Sequence, residues 1–284
     1  MVDLILGTAQ LGLAYGTTNI IGRPSDIEAI SLLEIARSSG ITTVDTADNY
    51  GDAEARLGEL GYSTKFGIIS KFQCSANEDL DVYPQLNRLK LTSIEGMLFH
   101  DASQISSASG MRYLYQLRSL KDNGIVSKIG FSAYQIDQID QALEYFPDPD
   151  IIQVPGNALD FRLLDSSTIR ELASIGTEIH VRSVFLQGVL LAETSYLSGS
   201  QHSILTNTLE ILKREATSGE QSLMQFLLNQ IRNHPNVTSI VVGASSASEL
   251  TEIVEAWNCP SVPSPRVAHD LSYEVLDPRR WVSR

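Results

Sequence analysis

Short apolar runs rich in β-branched residues alternate with longer segments of helical period along the whole chain. Eight of these runs are typical of β-strands, at 4–8, 41–45, 66–70, 94–100, 126–132, 150–155, 179–185 and 239–244. Helical periodicity predicts helices at 24–40, 111–124, 166–176, 222–235 and 246–257. The longest interruption, 193–218, predicts a loop followed by an extra helix.

The alternation of strands and helices indicates the fold class. Strands that are apolar on both faces and separated by helices indicate a parallel sheet. Eight such units favour a closed (β/α)8 TIM barrel over an open doubly wound sheet, and no Gly-x-Gly-x-x-Gly motif follows any of the apolar runs. We therefore predict an α/β fold in which residues 1–284 form one barrel domain. Ser25 with Glu28, and Ser246 with Glu249, predict capping boxes at two helix starts.

Composition narrows the function classes. A net charge of −13 disfavours nucleic acid and anionic lipid as partners. No apolar stretch is long enough to span a bilayer, and the opening "MVDLILGTAQ" lacks the basic residues of a secretory signal, so we expect a cytoplasmic protein with no membrane partner. Cys74 and Cys259 are too few and too isolated for a disulfide framework or a metal site. Nothing in the sequence specifies an oligomeric state.

Candidate chemistry lies at the predicted carboxyl ends of the strands, where barrels of this type carry their active sites. Four ionisable residues follow three successive strands there: Asp45, Tyr50, Lys71 and His100. Singly, each has a structural explanation, as a turn cap, a packing aromatic, a solvated strand end and a hydrogen-bonded histidine. Their joint placement at one rim favours a shared site.

These four side chains have complementary chemistry. The Lys71 ammonium near the Tyr50 phenol would lower the pKa of that phenol. A buried Asp45 would keep Lys71 charged and fixed, since an unpaired buried ammonium is costly. His100 would orient a carbonyl oxygen or share the proton. The set therefore predicts proton delivery to an oxygen that gains negative charge, as when hydride attacks a carbonyl.

Eight short motifs in a fixed order point to a family. They are "LGTAQLG" (6–12), "DTADNYG" (45–51), "ISKF" (69–72), "LFHD" (98–101), "IVSKIGFSAY" (125–134), "IIQVPGNALD" (151–160), "FLQGVLL" (185–191) and "VVGASSASEL" (241–250). Through these motifs the sequence resembles the aldo-keto reductase family over nearly the whole chain.

The resemblance implies an NADPH-dependent reductase that converts an aldehyde or ketone to an alcohol, with Tyr50 as the general acid and Asp45, Lys71 and His100 completing a tetrad. It places the dinucleotide against five strand ends, at Gly7, Thr8, Ser132, Gln153, Arg182, Ser183, Phe185, Leu186, Gly188, Gly243, Ala244, Ser245, Ser246 and Glu249. Ser132 and Gln153 would hold the nicotinamide carboxamide. Ser245 and Ser246, at the start of the last predicted helix, would take the adenosine phosphate.

Three positions depart from the family pattern. Ala133 replaces an asparagine after the strand-5 serine, Arg182 stands where an aromatic often stacks on nicotinamide, and Ile253 replaces an asparagine on the last helix. Arg182, together with Tyr15, suggests a polar or anionic substrate such as a keto-sugar.

The segment around Ile253 affects the expected cofactor preference. The segment 243–255 contains no Lys or Arg and three glutamates, so any cation for a 2′-phosphate would come from elsewhere, with Lys213 and Arg214 as candidates. The family's habit favours NADP(H), and the residues themselves leave NAD(H) open.

Two other functions are compatible with the residues. One is a non-catalytic, nucleotide-binding barrel resembling the potassium-channel β subunits of the same family. The other is a barrel lyase or isomerase that uses the same acid–base residues without hydride transfer.

Overall fold

Eight parallel strands close into a barrel in the order β1 to β8. The computed structural model describes residues 2–76, 78–192, 200–267, 269 and 271–277. The strands are β1 (Asp3–Gly7), β2 (Thr43–Asp45), β3 (Gly67–Phe72), β4 (Ile94–Phe99), β5 (Val126–Ser132), β6 (Ile151–Pro155), β7 (Glu178–Arg182) and β8 (Ser239–Gly243). Each predicted run overlaps a strand, and the predicted (β/α)8 barrel is confirmed.

Helices surround the barrel. They are α1 (Ala9–Gly12), α2 (Asp26–Ser38), α3 (Ala53–Glu59), α4 (Tyr83–Leu89), α5 (Ala108–Asp122), α6 (Ile136–Leu143), α7 (Ser167–Ser174), α8 (Ser200–Ser218), α9 (Leu223–Arg232), α10 (Ala247–Asn258) and α11 (Tyr273–Leu276). The five predicted helices correspond to α2, α5, α7, α9 and α10. α8 falls in the segment for which the sequence predicts an extra helix, and the predicted loop at 193–199 lies outside the described residues. Over the described ranges, no helix is both long and apolar enough to cross a membrane.

The barrel interior is packed by apolar side chains from five of the strands, and it positions the site. Ile5, Ile69, Leu98, Ile151 and Val241 form one buried cluster. Because side chains along a strand alternate between faces, Lys71, two residues after Ile69, also points into the interior, one layer nearer the carboxyl end. A larger apolar core lies between the strands and the helices. The site is therefore built on a packed support, each buried aliphatic side chain of which contributes roughly 1.5–3 kcal/mol.

The predicted seventh strand is too long. β7 ends at Arg182 because Ser183 has a φ of +64°, in the left-handed region, and Leu186 and Gln187 have φ values of +49° and +55°. Residues with a Cβ adopt this region at a cost of roughly 1–3 kcal/mol each, and such strain clusters at functional sites. The β7–α8 connection therefore begins as a strained turn at the mouth of the barrel.

Candidate active site

Asp45, Tyr50, Lys71 and His100 meet at the carboxyl-end mouth of the barrel. Asp45 is the last residue of β2, Lys71 lies in β3, His100 follows β4, and Tyr50 lies between β2 and α3. Lys71 Nζ is 5.1 Å from the centre of the Tyr50 ring. The Tyr50 and His100 rings meet edge to face with their centres 5.7 Å apart. The structure thus brings together the four residues that the sequence places on one rim.

A buried ion pair forms the floor of this group. Lys71 Nζ donates to Asp45 Oδ1 at 2.6 Å and to the Thr46 carbonyl oxygen at 2.9 Å. Gln153 Nε2, from β6, donates to Asp45 Oδ2 at 2.8 Å. Lys71 is fully buried and Asp45 is 3% exposed. Burial lowers the pKa of the Lys71 ammonium, and the Asp45 carboxylate opposes that shift. Both carboxylate oxygens are therefore engaged, which fixes the pair in place.

The Tyr50 phenol stays protonated through the neutral range. Burial, and after it the Asp45 carboxylate, raise the pKa of Tyr50 well above its usual 10.0, and Arg182 opposes the shift. The sequence-based expectation that Lys71 lowers this pKa is wrong in its net direction. Loss of hydration disfavours the phenolate, and Asp45 lies beside Lys71 and offsets its charge. Tyr50 therefore presents a proton donor at the mouth of the barrel.

His100 is neutral at neutral pH. Burial, followed by the positive charge of Lys71, lowers the pKa of its imidazole from the usual 6.5 to about 4. A neutral imidazole suits the predicted role of orienting a carbonyl oxygen through an N–H group.

Two glycines hold the Tyr50 loop against the start of the barrel. A Cβ at Gly12 would collide with the Tyr50 carbonyl oxygen, and a Cβ at Gly51 would collide with the Gly12 carbonyl oxygen. Gly51 also has a φ of +59°, which glycine adopts readily. The motifs around Gly12 and Gly51 thus fix the tyrosine backbone by close contact.

A cleft of about 440 Å³ runs from this group to the start of α10. Most of the predicted site residues line it: Gly7, Thr8, Asp45, Tyr50, His100, Gln153, Arg182, Ser183, Phe185, Gly188, Gly243, Ser245, Ser246 and Glu249. Four do not. Lys71 and Ser132 are buried behind its wall, and Leu186 and Ala244 pack into the hydrophobic core. Leu186 and Ala244 therefore do not line the cleft, and their contact with a cofactor stays a prediction.

Contacts that no sequence motif marks bridge the cleft. Thr17 Oγ1 donates to Gln187 Oε1 at 2.9 Å, and Gln187 Nε2 donates to the Tyr15 hydroxyl at 3.3 Å. Thr18 Oγ1 donates to the Gln187 carbonyl oxygen at 3.4 Å. The β1–α2 loop and the β7–α8 connection therefore touch across the opening, although about 170 residues separate them. Other unpredicted lining residues are Gln10, Asn19, Ile20, Ile21, Tyr134, Ser248 and Glu252.

Arg182 brings a positive charge to the catalytic end of the cleft. Its guanidinium stacks over the Tyr134 ring at 3.9 Å from the ring centre. Its Nη2 lies 3.5 Å from Ser132 Oγ and 3.3 Å from the Ala133 carbonyl oxygen. Within the described part of the chain, Arg182 forms no ion pair with a carboxylate. Ser132, predicted to hold the carboxamide, thus contacts Arg182.

Carboxylates occupy the N-terminus of α10, at the other end of the cleft. Ser246 Oγ accepts from the Glu249 N–H at 3.1 Å, which makes Ser246 the predicted N-cap. The Glu249 carboxylate accepts from the Ser245 N–H at 2.7 Å instead of completing the predicted box on Ser246. Glu28, from α2, accepts from the Ala247 N–H at 2.7 Å. The predicted anion-binding end thus already holds two acidic side chains.

Comparisons with known proteins show the family of the chain. A sequence model described as "Aldo/keto reductase family" matches residues 3–265. The D-arabinose 1-dehydrogenase of Saccharomyces cerevisiae is 27% identical over 158 residues, which are 50% of this chain and 46% of the yeast protein. The L-glyceraldehyde 3-phosphate reductase of Escherichia coli O157:H7 is 24% identical over 87% of this chain and 84% of its own length.

A solved structure shares the fold. An aldo-keto reductase from Bacillus halodurans in its holo form superposes with a TM-score of 0.73 at 18% sequence identity, covering 92% of this chain and 88% of that one.

Proposed function

The chain belongs to the Aldo/keto reductase family and is an oxidoreductase, and from that premise we propose that it reduces a polar aldehyde or ketone to the alcohol with a reduced nicotinamide dinucleotide. One observation carries the proposal. The protonated phenol of Tyr50 lies over the buried Asp45–Lys71 ion pair, with neutral His100 beside it, at the floor of an open cleft. This arrangement delivers a proton to a developing alkoxide.

The cleft fits a dinucleotide. Its length joins the tyrosine to the start of α10, and its volume is in the range of cofactor sites. Gly243 lies where a Cβ would press on the Gln10 side-chain amide, so the absence of a side chain lets the Gln10 amide lie against this stretch of the floor. Gln153 and Arg182 would hold the nicotinamide end, and Ser245 and Ser246 the adenosine end.

Proton transfer follows from the side chains. When bound, a reduced nicotinamide supplies the hydride to the carbonyl carbon. Tyr50 donates its phenolic proton to the carbonyl oxygen, which His100 orients. Because an alkoxide is a much stronger base than a phenolate, the transfer is favourable even with the raised pKa of Tyr50. The positive charge of Arg182 favours the phenolate that remains.

The substrate class is proposed from Arg182. A cation with no carboxylate partner in the described part of the chain, at the catalytic end of the cleft, favours substrates with hydroxyl or anionic groups near the carbonyl. The names of the yeast and E. coli relatives refer to an aldose and to a phosphorylated aldehyde. We therefore propose a sugar, a keto-sugar or a sugar phosphate.

The direct test is an absorbance assay of dinucleotide oxidation with NADH and NADPH supplied separately. The carbonyl panel contains D-arabinose, glyceraldehyde, glyceraldehyde 3-phosphate, a keto-sugar and hydrophobic aldehydes. We expect turnover that is faster with the polar carbonyls. Dinucleotide binding without turnover of any carbonyl would contradict the proposal.

A further inference from the structure

Three glutamates surround the end of the cleft that would receive the adenosine ribose. Glu249 and Glu252 line the cleft itself, and Glu28 approaches the same helix end from α2. Burial, and less strongly the Glu252 charge, raise the pKa of Glu249, while its hydrogen bond from the Ser245 N–H opposes the shift. The α10 N-terminus therefore carries concentrated negative charge.

Three backbone donors at this end are already in use. The Ser245 N–H donates to Glu249 and the Ala247 N–H donates to Glu28, both at 2.7 Å. The Glu249 N–H donates to Ser246 Oγ. A phosphate that bound to the Ser245 or Ala247 N–H would have to displace a carboxylate and then lie next to it. A phosphate and carboxylates this close together repel each other. Hydrogen bonds from these N–H groups to the phosphate would only replace the hydrogen bonds that the carboxylates lose.

In the described part of the chain, no Lys or Arg side chain lines this end of the cleft to offset the charge of the glutamates. Arg182 is the one Lys or Arg side chain among the described residues that line the cleft, and it points towards β5, where it contacts Ser132 and Ala133. Lys213 pairs with Glu210 at 3.1 Å and does not line the cleft. Arg214 is exposed and does not line it either. Neither of the two candidates named from the sequence reaches this end.

We infer that the carboxylates at the α10 N-terminus select the dinucleotide with a free 2′-hydroxyl, so that this chain prefers NAD(H) over NADP(H). The inference rests on the proposed function, since it concerns the cofactor of that same cleft. Carboxylate oxygens accept hydrogen bonds from ribose hydroxyls, whereas they repel a 2′-phosphate dianion. The family resemblance favours NADP(H); the charges of this chain favour NAD(H).

The test measures binding without turnover. Dissociation constants for NADH and NADPH are determined by nucleotide fluorescence titration of the wild-type protein and of Glu28→Gln, Glu249→Gln and the double variant. Glu255→Gln is the matched control, because it removes the same charge from an exposed position of α10 that does not line the cleft. Thermal unfolding of each variant establishes that it is folded.

We expect wild-type protein to bind NADH at least about tenfold more tightly than NADPH, a ratio that corresponds to ~1.4 kcal/mol. The two single variants should bind NADPH more tightly and so lower the ratio of the NADPH to the NADH dissociation constant several-fold. The double variant should lower this ratio further, and Glu255→Gln should leave it unchanged. Added salt should also narrow the wild-type ratio, because it screens the repulsion.

NADPH binding as tight as NADH binding in the wild-type protein would overturn this inference and leave the proposed function standing. A preference for NADH that persists unchanged in the double variant would overturn the role of the carboxylates. Binding of neither dinucleotide would overturn the proposed function and this inference together.

Discussion

Lys71 Nζ lies 2.6 Å from Asp45 Oδ1, and both side chains are buried under the Tyr50 ring. A buried pair of this kind is costly to break from one side, because the remaining charge loses its partner and stays out of water. The ion pair fixes the side chains at the mouth of the barrel. Removing one or both partners should therefore affect the stability of the fold differently from the activity.

We predict that Asp45→Asn lowers the free energy of unfolding by about 3–5 kcal/mol, since it leaves the Lys71 ammonium unpaired. Asp45→Asn combined with Lys71→Met should recover much of that loss, while activity stays low in both variants. Urea denaturation monitored by circular dichroism measures this. A double variant no more stable than Asp45→Asn would contradict the account of the pair.

The lowered pKa of His100 predicts that the folding stability of the protein depends on pH. Its pKa in the folded protein is about 4, below the usual 6.5 of an unfolded chain, so between these values the unfolded chain binds the proton more readily. Folding stability contributed by the neutral imidazole is therefore lost as the pH falls from 6.5 towards 4. Between about pH 7 and about pH 5, we expect wild-type protein to lose on the order of 2 kcal/mol more than His100→Asn. Equal losses in urea titrations of the two proteins would count against the buried, neutral histidine.

The Tyr50 pKa predicts different pH profiles for the two directions of the reaction. Because burial raises that pKa, the phenol is protonated throughout the neutral range, and carbonyl reduction should be nearly independent of pH from about 6 to about 9. Alcohol oxidation needs the deprotonated phenol as a base, so its rate should rise with pH over the same interval. Initial rates in both directions, in buffers of constant ionic strength, test this. A reduction rate that falls with an inflection near pH 7 would be inconsistent with it.

Arg182 predicts substrate discrimination. Arg182→Met keeps an unbranched side chain against Tyr134 but removes the charge, and it should lower kcat/KM for glyceraldehyde 3-phosphate relative to glyceraldehyde by about tenfold or more. Arg182→Lys should restore part of that ratio. An unchanged ratio in Arg182→Met would rule out Arg182 as the group that recognises an anionic substrate.

Much of the fold follows from the sequence, because strand and helix periods are local signals. The eight strands and the helices α2, α5, α7, α9 and α10 all have regular apolar patterns. α3 and α4 are not predicted, since seven residues give two turns at most and too few apolar positions to establish a period. α6 is not predicted either, although it is as long as the predicted α7. The end of β7 depends on the backbone conformation of Ser183, which no apolar pattern records.

The site is predicted in part, for similar reasons. Asp45, Tyr50, Lys71 and His100 lie at or just after the carboxyl ends of strands, and barrel topology alone brings these ends together. The Gln187 bridge to Thr17 and the Glu28 contact with Ala247 join segments about 170 and 219 residues apart, and no local motif marks either one. The direction predicted for the Tyr50 pKa shift is wrong, because the loss of hydration depends on how the side chain is packed, and residue types alone do not specify packing.

The most direct test of the proposed mechanism is Tyr50→Phe. We expect the dissociation constant of this variant for the dinucleotide to stay within about twofold of the wild-type value. Its kcat for carbonyl reduction should fall by roughly 10²–10⁴-fold, the usual contribution of a general acid. Tyr62→Phe is the control, since it also removes a tyrosine hydroxyl, one that donates to Glu34 on the outer side of the barrel. Loss of turnover with retained binding in Tyr50→Phe alone is the predicted result, and undiminished kcat in that variant would contradict the role of Tyr50 as the proton donor.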